Sequence, residues 1–203
     1  DLISKWTSIN NKKLIHISTD YVFDGKSENP LKETAPTYPV NTYGSTKLKG
    51  ENICIKNDPN SLILRTSWVY SSFGNNFVKM IRDLMIKKEP LNIVNDQIGS
   101  PTYARDLAEV ILKIINNKKW VPGLYHYSNE GKISWFDFAN DIKYLSNLKT
   151  KISGITSEEY PVLAKRPKFS LLDKSKIKET YNIKVPHYLD SLKKCLKILK
   201  NES

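Results

Sequence analysis

The 203 residues carry 39% hydrophobic and 26% charged side chains, a balance that fits a folded globular chain and excludes a disordered one. No apolar run approaches the roughly 18 residues a membrane span needs, no secretory leader is visible, and Cys54 and Cys195 share no metal or redox spacing, so a cytoplasmic chain with two unbridged thiols is expected. The net charge of +11 raises nucleic acid as a partner, but arginine stands only at 65, 82, 105 and 166 and lysine is scattered, which favours a solvated surface over a base-reading stripe; neither nucleic acid nor membrane is the expected partner.

Residues 2–9 (LISKWTSI) read as the end of a helix with Leu2, Ile3, Trp6 and Ile9 on one side, and in a chain that begins at Asp1 this creates the expectation of preceding structure. LIHIS (14–18) is a short β-rich run, read as a buried strand that ends on the polar cluster Ser18-Thr19-Asp20. A proline-rich polar loop over 24–39 leads to a helix from Asn41 to about Lys56, with Asn41 or Thr42 as its cap. LILRTSWVY (62–70) is a second β-rich run, and Phe77, Met80, Ile81 and Leu84 give residues 75–88 the stripe of an amphipathic helix. A strand over 91–94, a helix over 103–117 capped by Thr102, a strand over 124–128 and a helix over 134–146 follow. From about 150 the chain reads as loops and turns, closing with lysine-rich helices near 173–181 and 187–200. The last three residues, Asn201-Glu202-Ser203, match a glycosylation acceptor that carries no weight without a secretion signal.

Strands alternating with helices predict an α/β fold of βαβ units around a parallel sheet. In such sheets ligands gather at the carboxyl ends of the strands. Ser18-Thr19-Asp20 and Thr66-Ser67-Trp68 both fall there.

The sharpest chemical signal is YGSTKLKGE (43–51), in which Tyr43 and Lys47 lie one helical turn apart on one face. A phenol ordinarily titrates near pH 10, and an ammonium held beside it favours the phenolate, which suits such a pair to proton donation at neutral pH. Tyr-x-x-x-Lys alone is a common chance match; the polar strand end upstream and Gly44, where a ligand could approach closely, raise its weight. Asn76 at a helix start and Arg166 in AKRPKF are candidates for holding an anionic diphosphate, with a plain helix cap and a surface ion pair as the bland alternatives. His16 and His126, each in a strand, read as core histidines, and no His, Cys or carboxylate spacing supports a metal site.

TDYVFDG, YGSTKLKGE, LRTSWVY, GNNFVKM and DQIGSPTYARDLA, in this order and spacing, resemble the dTDP-4-dehydrorhamnose reductase family of the extended short-chain dehydrogenase/reductase superfamily. The resemblance implies a Rossmann-like doubly wound parallel sheet lacking its N-terminal half, with a small C-terminal substrate-binding α/β portion. Residues 1–90 would be the second half of the dinucleotide-binding domain, and 91–203 mainly the substrate-binding portion, with about 103–130 returning to the sheet. The implied reaction passes hydride from NADPH or NADH to the C4 ketone of dTDP-4-dehydro-6-deoxy-L-mannose, giving dTDP-L-rhamnose for cell-surface polysaccharide. Tyr43 would be the proton donor and Lys47 would hold the nicotinamide ribose. Thr19 takes the place of the usual triad serine, beside Ser18 on the cofactor side. Asp20 and Trp68 match substrate-contacting positions, and Asn76 and Arg166 join them as diphosphate candidates.

Tyr21 stands where the related dehydratases carry the glutamate that removes a proton, so reduction is expected in preference to dehydration. Phe169 and Leu172 depart from the more polar family pattern around RPKFS (166–170). The family's GxxGxxG turn, which binds the cofactor pyrophosphate, is absent from these residues. By resemblance roughly 80–90 residues would precede Asp1, and the 203-residue chain alone is expected to be inactive and poorly stable. Some members form homodimers or use Mg²⁺ at a subunit contact. The alternatives are a non-catalytic nucleotide-binding subunit like the regulatory subunit of methionine adenosyltransferase, another sugar-nucleotide reductase or epimerase, and a basic nucleic-acid binder.

Overall fold

A helix, α1 (Leu2–Ile9), leads into the strand β1 (Ile15–Thr19), which ends in a single 3-10 turn, Asp20–Val22. The computed structural model describes residues 1–87, 90–160 and 164–201. Lys88 of the expected helix, Pro161, Val162 and Leu163 of the expected loop, and the last two residues of Asn201-Glu202-Ser203 lie outside them.

Next come α2 (Thr42–Asn57), β2 (Leu62–Thr66), β3 (Val69–Tyr70), α3 (Phe77–Ile86), β4 (Leu91–Val94), β5 (Ile98–Gly99) and β6 (Thr102–Tyr103). They are followed by α4 (Ala104–Ile115), β7 (Gly123–His126), β8 (Ile133–Ser134), α5 (Trp135–Leu145), β9 (Ile152–Ile155), α6 (Ser175–Tyr181) and α7 (Tyr188–Asn201). β1, β2 and β7 form a parallel sheet with β2 in the middle. Covered on both faces, β2 is an unbroken apolar run at its start, and Leu62, Ile63 and Leu64 are fully buried. Leu62, Leu64, Leu107, Val110, Ile114 and Tyr125 pack α4 onto this sheet. A second apolar cluster joins Tyr70, Ile81, Phe138, Ile142 and Leu192, and so gathers α3, α5 and α7 around β4.

Two local outcomes differ from the sequence reading. Thr102 caps nothing: it belongs to β6, where its hydroxyl oxygen accepts from Thr66 at 3.2 Å. The start of α4 is instead satisfied by Asn129, whose Oδ1 accepts the Tyr103 N–H at 2.7 Å and whose amide donates to the buried Asp106. The segment after 150 was read as loop, yet β9 pairs in parallel with β4, Leu91 opposite Ile152 through Val94 opposite Ile155. Ile-Ser-Gly-Ile has no local β pattern, and its extended form comes from that non-local pairing. In α1 the buried face is Ser4 and Thr7, with the Thr7 hydroxyl donating to Asp58 at 2.8 Å, while Leu2, Ile3, Trp6 and Ile9 are exposed.

Phe138 is fully buried between Phe77, Tyr70 and Tyr188. Phe138→Ala is expected to lower stability in urea unfolding by about 3–5 kcal/mol through the cavity it leaves.

Candidate active site

In-register pairing of β1 with β2 sets Ser18 opposite Arg65 and Thr19 opposite Thr66, so the two strands end level. The N-terminus of α2 crosses above those ends. Asn41 caps it, its Oδ1 accepting the Gly44 N–H at 2.8 Å. A Cβ on Gly44 would lie 2.1 Å from the Tyr21 carbonyl oxygen. The glycine is thus required for the turn after β1 to dock on α2, and the ligand approach expected of it is instead an approach of the chain's own backbone. That docking sets the Tyr43 ring edge-on to Tyr21, with centroids 5.7 Å apart.

Tyr43 is 55% exposed at the mouth of the resulting cavity. One turn further along α2, the Lys47 ammonium donates to the Ile17 carbonyl at 2.5 Å. The Thr19 hydroxyl donates to Asp20 Oδ1 at 3.1 Å and accepts the Tyr21 N–H at 3.2 Å. Asp20 is buried and its Oδ2 has no partner among the described residues. Desolvation pushes its carboxyl up to about 6, against the opposing pull of the Ser170 and Thr19 hydroxyls. Trp68, at φ +47°, leaves β2 in a left-handed conformation and stacks on Trp135 with centroids 3.7 Å apart. Gly99 lies beneath, where a Cβ would come within 2.9 Å of the Trp68 ring.

These groups line one cavity of about 490 Å³ that holds Ser18, Thr19, Asp20, Tyr43, Lys47, Trp68 and Arg166 together with Tyr21 and Trp135. Of the catalytic and binding candidates named from the sequence, Asn76 alone is not among its lining. Asn76 caps α3 through Oδ1 and donates its amide to the carbonyls of Ser71 and Phe73. Ser18 reaches the cavity, but its hydroxyl donates to Glu51. Trp135 went unseen in the sequence, because the first residue of a helix after a Ser134–Asp137 capping box carries no chemical motif. An apolar cleft of about 400 Å³ shares Trp135 and Arg166 with this cavity and is lined further by Phe77, Met80 and Tyr160. His126 is a core histidine: its Nδ1 lies 3.0 Å from the Leu31 carbonyl and burial lowers its pKa to about 3. No group of three or more His, Cys, Asp or Glu among the described residues could hold a metal ion, and no helix there is long and apolar enough to cross a membrane.

The family model described as the RmlD substrate binding domain matches residues 1–201. The chain belongs to this family. It is 43% identical over 182 residues to the spore coat polysaccharide biosynthesis protein SpsK of Bacillus subtilis, covering 90% of this chain and 63% of that protein. It is 41% identical over 194 residues to the dTDP-4-dehydrorhamnose reductase of Aggregatibacter actinomycetemcomitans, covering 90% of this chain and 66% of that one. The chain therefore spans a little under two thirds of the length of these relatives. The crystal structure of dTDP-4-dehydrorhamnose reductase from Bacillus anthracis in complex with NADP superposes with a TM-score of 0.92 at 35% identity, covering 97% of this chain and 69% of that one. The parallel sheet and its helices are thus the Rossmann-like arrangement of the extended short-chain reductases.

Burial of Asp20 has a consequence for stability. Below its ordinary value of 3.8 both folded and unfolded chains carry the proton; as the pH rises toward about 6 the unfolded chain releases a proton that the folded one retains, and stability is lost across that window. Asp20→Asn is therefore expected to match the wild type in urea unfolding near pH 3.5, within the cost of the changed hydrogen bonds, and to exceed it increasingly up to pH 7.

Proposed function

We propose that this protein reduces the C4 ketone of dTDP-4-dehydro-6-deoxy-L-mannose to dTDP-L-rhamnose with NADPH, or NADH, as the hydride source. The observation that carries this reading is the meeting of Thr19, Tyr43 and Lys47 in one cavity at the strand ends, walled by Trp68 and Trp135. Relatives named dTDP-4-dehydrorhamnose reductase at 41% and 38% identity support the substrate, and the NADP complex of the Bacillus anthracis enzyme supports the cofactor.

The residues present fit a nicotinamide nucleotide. Lys47 spends one donor on the Ile17 carbonyl, and an ammonium has three, so two remain for ribose hydroxyls. The Tyr43 side chain stands exposed at the cavity mouth. The bound cofactor supplies the hydride that arrives at C4. As negative charge develops on the ketone oxygen, Tyr43 gives it a proton, and the Lys47 ammonium one turn away stabilises the phenolate left behind. Thr19, whose hydroxyl now donates to Asp20, turns that hydrogen to the same oxygen and stabilises the transition state. The ketone thus gains one hydride and one proton and becomes an alcohol. Trp68 and Trp135 form a flat apolar wall for the sugar ring, and Arg166 at the rim meets the diphosphate.

Tyr43→Phe in the complete gene product is expected to lower kcat for the sugar ketone by roughly 10²–10⁴-fold, with little change in folding because the side chain is exposed. NADPH consumption followed with dTDP-4-dehydrorhamnose checks this, and an unchanged rate would point to a non-catalytic nucleotide-binding role.

A further inference from the structure

Tyr43, Lys47 and Glu51 recur every four residues and form one stripe along α2. At such spacing a lysine and a following glutamate are within reach of each other, and pairing would offset the charge that Lys47 offers to Tyr43. The structure shows a different arrangement. Glu51 Oε1 accepts from Arg65 Nε at 2.9 Å and Oε2 from Arg65 Nη2 at 2.7 Å, while the Ser18 hydroxyl also donates to Oε1. Arg65 comes from the central strand, and its guanidinium carbon lies 5.1 Å from the Phe23 ring centroid. Both ends of the pair are buried. Lys47 forms no salt bridge among the described residues and bonds the neutral Ile17 carbonyl instead.

From this we infer that Arg65 is a positioning residue for the reaction: by holding both oxygens of Glu51, it keeps the Lys47 ammonium unpaired and available to Tyr43 and the ribose. A planar guanidinium suits the task, because it engages both carboxylate oxygens at once where a lysine would engage one and leave the other to reach Lys47. Ser18 supports the same hold from β1, so its hydroxyl acts on Glu51 and through it on Lys47. The inference deepens the reductase reading and rests on it.

The test uses the complete gene product in three forms: wild type, Arg65→Met, and the charge-free double variant Arg65→Met/Glu51→Leu. In a crystal structure of Arg65→Met, the Lys47 ammonium is expected to leave the Ile17 carbonyl and lie within hydrogen-bonding distance of the released Glu51. In kinetics with dTDP-4-dehydrorhamnose, kcat is expected to fall roughly tenfold or more with KM for the sugar nucleotide little changed. The double variant, which has no carboxylate to release, is expected to recover most of that loss. Where Arg65→Met does not fold, Arg65→Lys is read in its place and is expected to shift both measures in the same direction by less. Lys47 remaining on Ile17 in the variant, or equal loss of kcat in the single and double variants, would overturn the inference. The crystallographic arm stands without turnover, so a wild type that reduces no sugar ketone would count against the reductase reading alone.

Discussion

The parallel register of β1 against β2 is the constraint on which the rest of the site depends. Because Ser18 stands opposite Arg65, their side chains share one face of the sheet and reach the same carboxylate on α2. A slip of one residue would turn Arg65 to the other face and leave Glu51 buried without a counter-charge, a loss worth several kcal/mol. The same register levels Thr19 with Thr66 and leaves residues just past the two strands, Asp20 after β1 and Trp68 after β2, to line a shared cavity. Packing, electrostatics and site geometry are therefore set by one alignment. Gly44 completes it by letting the Tyr21 carbonyl reach the first turn of α2.

Three features at this cavity work against stability. Asp20 is buried with one oxygen unpartnered, Trp68 holds a left-handed backbone conformation that a bulky residue rarely adopts, and Tyr43 exposes more than half its surface. Unpartnered polar atoms are also buried in the packed interior, among them the hydroxyls of Tyr70, which packs on Phe138, and of Tyr127, in the cluster with Leu62 and Leu64. A rigid scaffold can hold such costly groups where a ligand can use them. The stacking of Trp68 on Trp135 and the close fit of Gly99 against the Trp68 ring hold that left-handed turn in place.

Elements built on local pattern were legible in the sequence: the helix α3, the apolar run opening β2 and a cap of α2 at Asn41 or Thr42 all lie within a few neighbouring residues, although the expected α3 stripe included the exposed Met80 and omitted the buried Val78 and Met85. What depended on distant partners was not. β9 exists because β4 pairs with it, and Thr102 gave up a capping role because Thr66 and the β3–β6 pairing claimed it. The site divided the same way. Tyr43 and Lys47 announce themselves by helical spacing, whereas Trp135 reaches the cavity because the start of α5 brings its ring onto Trp68. Glu51 lay within the quoted YGSTKLKGE, yet its partner sits 14 residues further on in another element, and nothing local joins them.

On the proposed reading, position 21 separates two chemistries on a common frame. The Tyr21 carbonyl is fixed by Gly44, so the direction of the side chain follows from the backbone and brings its ring against Tyr43. Burial and the neighbouring Asp20 both push the Tyr21 phenol up, so it remains protonated and neutral across the working range of pH. In the proposed reaction, a carboxylate in that place would add a base within reach of the sugar and a negative charge beside Tyr43, opposing the phenolate that proton donation would leave behind. A neutral aromatic ring adds neither. On the proposed reading the frame then favours delivering a proton to a ketone oxygen over removing one from an adjacent carbon.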